Sequence, residues 1–202
     1  MQPENCLIMN NGYLKLADMG LCKYLPGDNV TYTMCGTPEF LAPEFIFKRG
    51  YDHRVDWWAY GCILFEMLSA RNPFANENLK KMFEAVTAIG TGEAKLQLDE
   101  QVERANPPLA SFLRQLLCGL DTRLGAKHAD EVAQHAFFAQ MGFDWERFDE
   151  LETIPPVKPT KTLQERYLER RGHPGQFYFD VAPAYVGTDV QTDAADSDFS
   201  FF

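Results

Sequence analysis

Apolar and polar positions alternate only near the start of the chain. Cys6-Leu7-Ile8-Met9 and Tyr13-Leu14-Lys15-Leu16 flank Asn10-Asn11-Gly12, a pattern that predicts two short strands joined by an Asn-Gly turn. From Ala17 to Glu44 no period survives, and Gly20, Pro26-Gly27, Gly36 and Pro38 punctuate a long loop. Loops longer than about 12–15 residues are uncommon in compact domains and are usually functional or disordered. Val55 to Leu68 is the opposite: Asp56 and Glu66 are its only charges, and apolar residues cover every face. Such a stretch predicts a buried central helix, stopped by Asn72-Pro73-Phe74. Leu79 to Ala88, Leu109 to Leu117 (opened by Asn106-Pro107-Pro108) and Glu131 to Phe138 predict further helices. The pattern adds up to a mainly α fold with one small β-hairpin near the N-terminus.

Composition shifts after about Phe143. Pro155-Pro156 and Pro159 mark extended chain, and Leu163 to Arg171 reads as a short charged helix. Residues 172–202 carry five aspartates and no lysine or arginine, and end in Phe199-Ser200-Phe201-Phe202. An acidic tail with bare aromatics is expected to dock on something rather than float.

Charge narrows the partners. Nineteen basic against 29 acidic residues leave a net charge of −10, which argues against nucleic acid or an anionic membrane surface and favours basic peptides. No run of about 20 apolar residues occurs, so no membrane-spanning helix is expected. Five scattered cysteines (Cys6, Cys22, Cys35, Cys62, Cys118) with no CxxC pair read as reduced thiols in a cytoplasmic setting. Asp18 ends the second predicted strand, and Asn5 stands just before the first. Two oxygen donors flanking a hairpin suit Mg²⁺, which keeps several waters and shares its shell with substrate phosphates.

Order and spacing of motifs then point to a family. Pro3-Glu4-Asn5, Asp18-Met19-Gly20, Gly36-Thr37-Pro38-Glu39 and Ala42-Pro43-Glu44 resemble the later motifs of eukaryotic protein kinases. Thr33 to Glu44 resembles the activation segment of the AGC group, which includes the cyclic-nucleotide-dependent kinases. Asp56 to Gly61 resembles the start of that family's buried central helix. Arg123-Leu124-Gly125 and His135-Ala136-Phe137-Phe138 resemble the end of its catalytic lobe. Pro155 to Pro159, Phe179-Asp180 and the aromatic terminus resemble the AGC tail. The implied fold is the large, C-terminal lobe of a kinase, with a partial catalytic domain over 1–142 and an extended tail over 143–202.

The resemblance implies roles. Asn5 and Asp18 would hold Mg²⁺ against the ATP phosphates, with Phe179 of the tail completing the ATP site. Thr33 would be the activation-loop phosphosite and Lys23 one of its cations, since a phosphate of roughly −2 charge can order a loop. Thr37 would help to align the catalytic aspartate. Gly36, Pro38 and Glu39 would lie in the floor beneath the substrate residue that follows the target Ser or Thr. Glu4 and Glu66 align with acidic residues that receive a substrate arginine, though Glu66 also reads as a satisfied core carboxylate. Glu44 and Arg123 would form a buried ion pair. Asp56 reads as a helix-start cap, Cys35 as a packing thiol, and the four histidines as structural or surface residues.

Departures from the family pattern are as informative. Gln2 stands where a lysine belongs, and the 202 residues contain no HRD, no G-x-G-x-x-G and no V-A-I-K. Met19 replaces a phenylalanine, a mild change for apolar packing. The expectation is a serine/threonine kinase represented by its large lobe and tail, which needs an N-terminal lobe in cis and is inactive and poorly soluble alone. A regulatory subunit or domain is a further expected partner. The alternative is a pseudokinase or binding module that sequesters substrates or regulators.

Overall fold

The computed structural model describes residues 1–9, 11–27 and 29–153. They fall into two units, one containing Pro3–Ala17 and the other Met1–Gln2 with Asp18–Thr153.

The first unit opens with a 3-10 turn at Pro3–Asn5 and continues as the expected hairpin. Strand β1 (Cys6–Ile8) pairs antiparallel with β2 (Leu14–Leu16), in the register Cys6 to Leu16 and Ile8 to Leu14. Met9 N–H donates to the Tyr13 carbonyl at 2.8 Å, and Gly12 sits at φ 91°. That left-handed conformation is one glycine adopts without a Cβ clash. At the hairpin's open end Ala17 N–H donates to the Asn5 carbonyl at 2.8 Å, which ties Asn5 to the end of the second strand.

The second unit is helical after a long irregular stretch. The described residues of 18–37 form no helix or strand beyond one bridge, Thr31 to Tyr51. A 3-10 turn at Pro38–Phe40 leads into the short helix α1 (Pro43–Ile46), opened by proline in its first turn, where a missing N–H costs nothing. Helix α2 (Arg54–Ser69) follows and matches the predicted central helix within a residue at each end. Its start is held by Asp52, whose carboxylate accepts from Arg54 N–H at 3.0 Å. Asp56 is the third residue of the helix and not its cap, which corrects that expectation: the first free amide is already taken by Asp52. Buried residues of α2 are Trp58, Ala59, Gly61, Cys62, Ile63 and Phe65, but its last turn leaves Met67 and Leu68 exposed. Burial pushes the Cys62 thiol far up, as expected of an inert core cysteine.

Helix α3 (Leu79–Thr91) is capped by Asn78 and closed by Gly92 at φ 81°. It runs three residues past the predicted end. Helix α4 (Glu100–Ala105), capped by Asp99, has no apolar period long enough to announce it. Helix α5 (Pro107–Leu116) starts on the Asn106-Pro107-Pro108 signal and packs on α2. The two approach closely at Gly61, where a Cβ would lie 2.9 Å from Leu117. The predicted helix over 131–138 is broken in two, α6 (Asp130–Ala133) and α7 (Ala136–Gln140). His135 caps the second by accepting from Phe137 N–H at 3.1 Å. Helix α8 (Trp145–Asp149) closes the described chain. Phe138, Phe143, Trp145 and Phe148 pack ring to ring across position 142, so the side chains there form one cluster through the expected start of the tail.

Among the described residues no helix is long and apolar enough to cross a membrane. The expected tail helix at 163–171, Phe179 and the aromatic terminus lie outside the described residues.

Candidate functional site

The strongest local anchor joins two distant motifs. Arg123, fully buried after α5, meets Glu44 of α1 in a fork: Nη1 to Oε1 at 2.7 Å and Nη2 to Oε2 at 3.1 Å. The same guanidinium donates to the carbonyls of Arg54 at 2.9 Å and Cys118 at 3.1 Å. It also lies 5.1 Å from the Trp58 ring, which stacks on Phe74 at 5.2 Å. A buried pair of this kind is costly to break from one side, by about 3–5 kcal/mol, because the remaining charge has no water. Its geometric effect is to fix α1, and with it the end of the 18–42 segment, against α2 and the α5 terminus.

The segment ahead of α1 is held by hydrogen bonds as well as by the packing of Phe40, Leu41 and the buried Ala42 on the core. Asn72, 8% exposed, donates from Nδ2 to the Glu39 carbonyl at 3.2 Å and accepts from Phe74 N–H at 2.9 Å. Leu41 N–H donates to the Pro38 carbonyl. The Thr37 hydroxyl reaches back to the N-terminal residues and donates to Gln2 Oε1 at 2.5 Å. Gly36 sits at φ 112°, a backbone shape that a Cβ-bearing residue rarely adopts. Gly36, Thr37 and Pro38 are exposed, so this stretch presents its backbone to whatever docks there.

Farther back, Lys23 Nζ donates to the Thr31 hydroxyl at 2.9 Å, and that oxygen lies 3.3 Å from the Thr33 hydroxyl. Thr33 itself is exposed and Thr31 buried. Lys23 and Thr33 are therefore neighbours joined through a residue that sequence reasoning did not single out.

Asp18 is exposed and occupies the left-handed region at φ 61°, uncommon for residues other than glycine but one that aspartate enters more readily than most. Its Oδ1 lies 3.3 Å from Gly20 N–H. Asn5 and the exposed Glu4 belong to the hairpin unit, Asp18 to the helical one. Glu66 is half-buried on the last turn of α2, one residue past the buried Phe65. Among the described residues no cluster of three or more His, Cys, Asp or Glu could hold a metal by itself. Carboxylate and amide oxygens are nonetheless the hard donors Mg²⁺ takes one or two at a time, so Asp18 and Asn5 fit that ion by donor chemistry.

Comparison with known proteins decides the family. A model described as the protein kinase domain matches residues 1–138. The chain belongs to the protein kinase family. Within it the chain groups with serine/threonine kinases of the AGC type. "Protein kinase 2" of Dictyostelium discoideum is 37% identical over 160 residues, covering 79% of this chain and 31% of the relative. "Serine/threonine-protein kinase YPK1" of Saccharomyces cerevisiae is 37% identical over 165 residues, covering 79% and 22%. "cGMP-dependent protein kinase egl-4" of Caenorhabditis elegans is 36% identical over 163 residues, covering 79% and 20%. This kinase chain thus spans less than a third of the length of these relatives.

In the kinase chain, then, the expected pair Glu44 and Arg123 is joined, Lys23 and Thr33 are neighbours through Thr31, and Gly36 to Glu39 form one pinned stretch. Sequence reasoning missed Thr31, Tyr51 and Asn72. Only Asn72 carried a signal, as part of the Asn-Pro helix stop.

Proposed function

We propose that this chain supplies the large-lobe part of γ-phosphoryl transfer from ATP to Ser or Thr in proteins with basic residues before the target. Positions 1–142 are assigned to the catalytic domain and 143–202 to the AGC tail, with Phe179 completing the nucleotide site. Asn5 and Asp18 would hold Mg²⁺, which when bound neutralises charge on the phosphates. Gly36, Pro38 and Glu39 seat the residue after the target, and Glu4 and Glu66 take a substrate guanidinium, a pairing favoured by the net charge of −10. Thr33 is the phosphosite and Lys23 its cation. The 202-residue polypeptide alone is inactive, because no catalytic base or phosphate-anchoring lysine is in its sequence and positioning is most of this chemistry.

The observation that carries the reading is the Glu44–Arg123 fork, which sets the substrate-facing stretch on the helical core. A second reading, a non-catalytic module that sequesters substrates or regulators, is favoured by Gln2. Thr37 bonds a neutral amide there, where the family pattern has a cation. The test is a chimera, with the chain joined behind the small lobe and catalytic loop of the yeast relative. Transfer of labelled phosphate to an arginine-rich peptide, abolished by Asp18→Ala, is expected. A folded chimera that binds the peptide without transfer would favour the module. Purified 1–202 should transfer nothing in the same assay.

A further inference from the structure

The stretch around Thr33 is fixed to the start of α2 by contacts that no phosphate is needed to make. Thr31 N–H donates to the Tyr51 carbonyl at 2.8 Å and Tyr51 N–H donates back to the Thr31 carbonyl at 3.0 Å. The Tyr51 phenol donates to the Thr33 carbonyl at 2.5 Å. Its ring stacks on Phe45 of α1 with centroids 4.1 Å apart, and only 8% of the residue is exposed. Burial first, and the neighbouring Cys35 thiol second, push the phenol's pKa up, so it stays a donor. Val30 and Tyr32 close over Gly50, where a Cβ would lie 2.6 Å from Val30 and 3.0 Å from the Tyr32 ring. Within this frame the Thr31 hydroxyl, on a residue 5% exposed, holds the Lys23 ammonium at 2.9 Å and faces the Thr33 hydroxyl at 3.3 Å.

We propose that Tyr51 and Thr31 are positioning residues for the phosphosite: together they build the cation site for a phosphate on Thr33 before the phosphate is present. Thr31 parks the ammonium on a hydroxyl that itself lies 3.3 Å from the oxygen that would carry the phosphate. Tyr51 fixes the backbone that points that oxygen. A phosphate arriving on Thr33 exchanges a neutral hydroxyl for a dianion as Lys23's partner, and little of the loop has to be reordered. This rests on the reading of Thr33 as the phosphosite and of Lys23 as its cation.

The test uses the full chain with phosphothreonine placed at position 33 during translation, and follows the phosphate by ³¹P NMR titration. An ammonium held beside the phosphate favours the dianion, so its second ionisation, near 6 when unperturbed, should fall by about half a unit relative to a free 29–37 peptide. Lys23→Ala tests the underlying reading: a shift that survives in that variant means Lys23 is not the phosphate's partner. Given loss in Lys23→Ala, the proposal expects Thr31→Val and Tyr51→Phe each to lose most of the shift, and Thr31→Ser, which keeps the hydroxyl, to retain it. A wild-type shift in folded Thr31→Val, or its loss in Thr31→Ser as well, overturns the role of Thr31. A wild-type shift in folded Tyr51→Phe overturns that of Tyr51. If near-UV circular dichroism shows that Tyr51→Phe does not fold, the Thr31 pair decides the proposal alone.

Discussion

Two regions of this chain use apolar residues in opposite ways. In the helical interior Trp58, Phe112, Leu113 and Leu116 are wholly buried, and Phe112 touches the rings of Tyr60, His135, Phe137 and Phe138. In the stretch that precedes α1, Leu21, Tyr24, Tyr32 and Met34 are 62–78% exposed. Its end, Phe40 to Ala42, packs on the core; the rest is fixed by a short set of polar pins: Thr31 with Tyr51, Tyr51 with Thr33, Asn72 with Glu39, and Thr37 with Gln2. Burial is non-directional and spread over many contacts. A hydrogen bond is directional, and net worth only about 0.5–1.5 kcal/mol. The interior should therefore resist change as a body, while the segment should answer to single hydroxyls and amides. That sensitivity suits a surface meant to be switched.

The joint between the two is Glu44–Arg123, and it should give the largest effect. Arg123→Ala leaves Glu44 buried and unpaired, strips the carbonyls of Arg54 and Cys118, and opens space beside Trp58. A loss of about 3–5 kcal/mol is expected, read by denaturant unfolding. Glu44→Gln, which keeps the shape but not the charge, should cost less. A loss under about 1 kcal/mol for Arg123→Ala would mean the interior holds without its joint, and the contrast with the segment would collapse.

Asn72→Ala comes next. It removes the donor to the Glu39 carbonyl and the acceptor for Phe74 N–H, at a cost of about 1–2 kcal/mol. The informative readout is amide hydrogen exchange. Faster exchange is expected over residues 36–41, with α2 and α5 unchanged. Equal acceleration in the helices would show that segment and interior open as one unit.

The interior was the more legible of the two regions. The nearly continuous apolar run from Val55 to Leu68, and the Asn-Pro-Pro start near 107, announced α2 and α5 because all-round burial and helix-start chemistry leave their trace in the residues themselves. Short helices with mixed composition left no such trace. Helix α4 is six residues with Val102 and the terminal Ala105 as its only apolar positions, and the break between α6 and α7 is made by the His135 cap, a side-chain bond inside an otherwise helical pattern. Of the candidate site, the motif positions were readable through the family resemblance, down to the Glu44–Arg123 pair 79 positions apart. The pins were not. Nothing in the type or spacing of Thr31 and Tyr51 states that two backbone bonds join them, because that pairing depends on where the long loop returns. Asp56 misled for a related reason: its charge suits a helix start, but the first free amide, that of Arg54, is taken by Asp52 ahead of the helix, and the capping position itself is held by His53.

The smallest effect should come from a titration inside the better-buried region. His135 accepts Phe137 N–H at Nδ1 and lies 4.9 Å from the Phe112 ring, and burial lowers its pKa. Only the neutral imidazole can accept at that nitrogen. Between the folded pKa and the unfolded value of about 6.5 the unfolded chain binds more protons, so stability rises with pH there. The contribution is fully present above about pH 6.5 and is lost as pH falls from there through the folded pKa. His135→Asn keeps an acceptor suited to the cap and does not titrate in this range. Wild-type Tm should therefore drop more than the variant's between pH 7.5 and 5.5, by less than the Asn72→Ala effect, with exchange over 36–41 unchanged in both. Parallel pH profiles would mean that the Phe112 cluster accommodates an imidazolium. In that case the interior would be as yielding to one polar change as the segment it anchors.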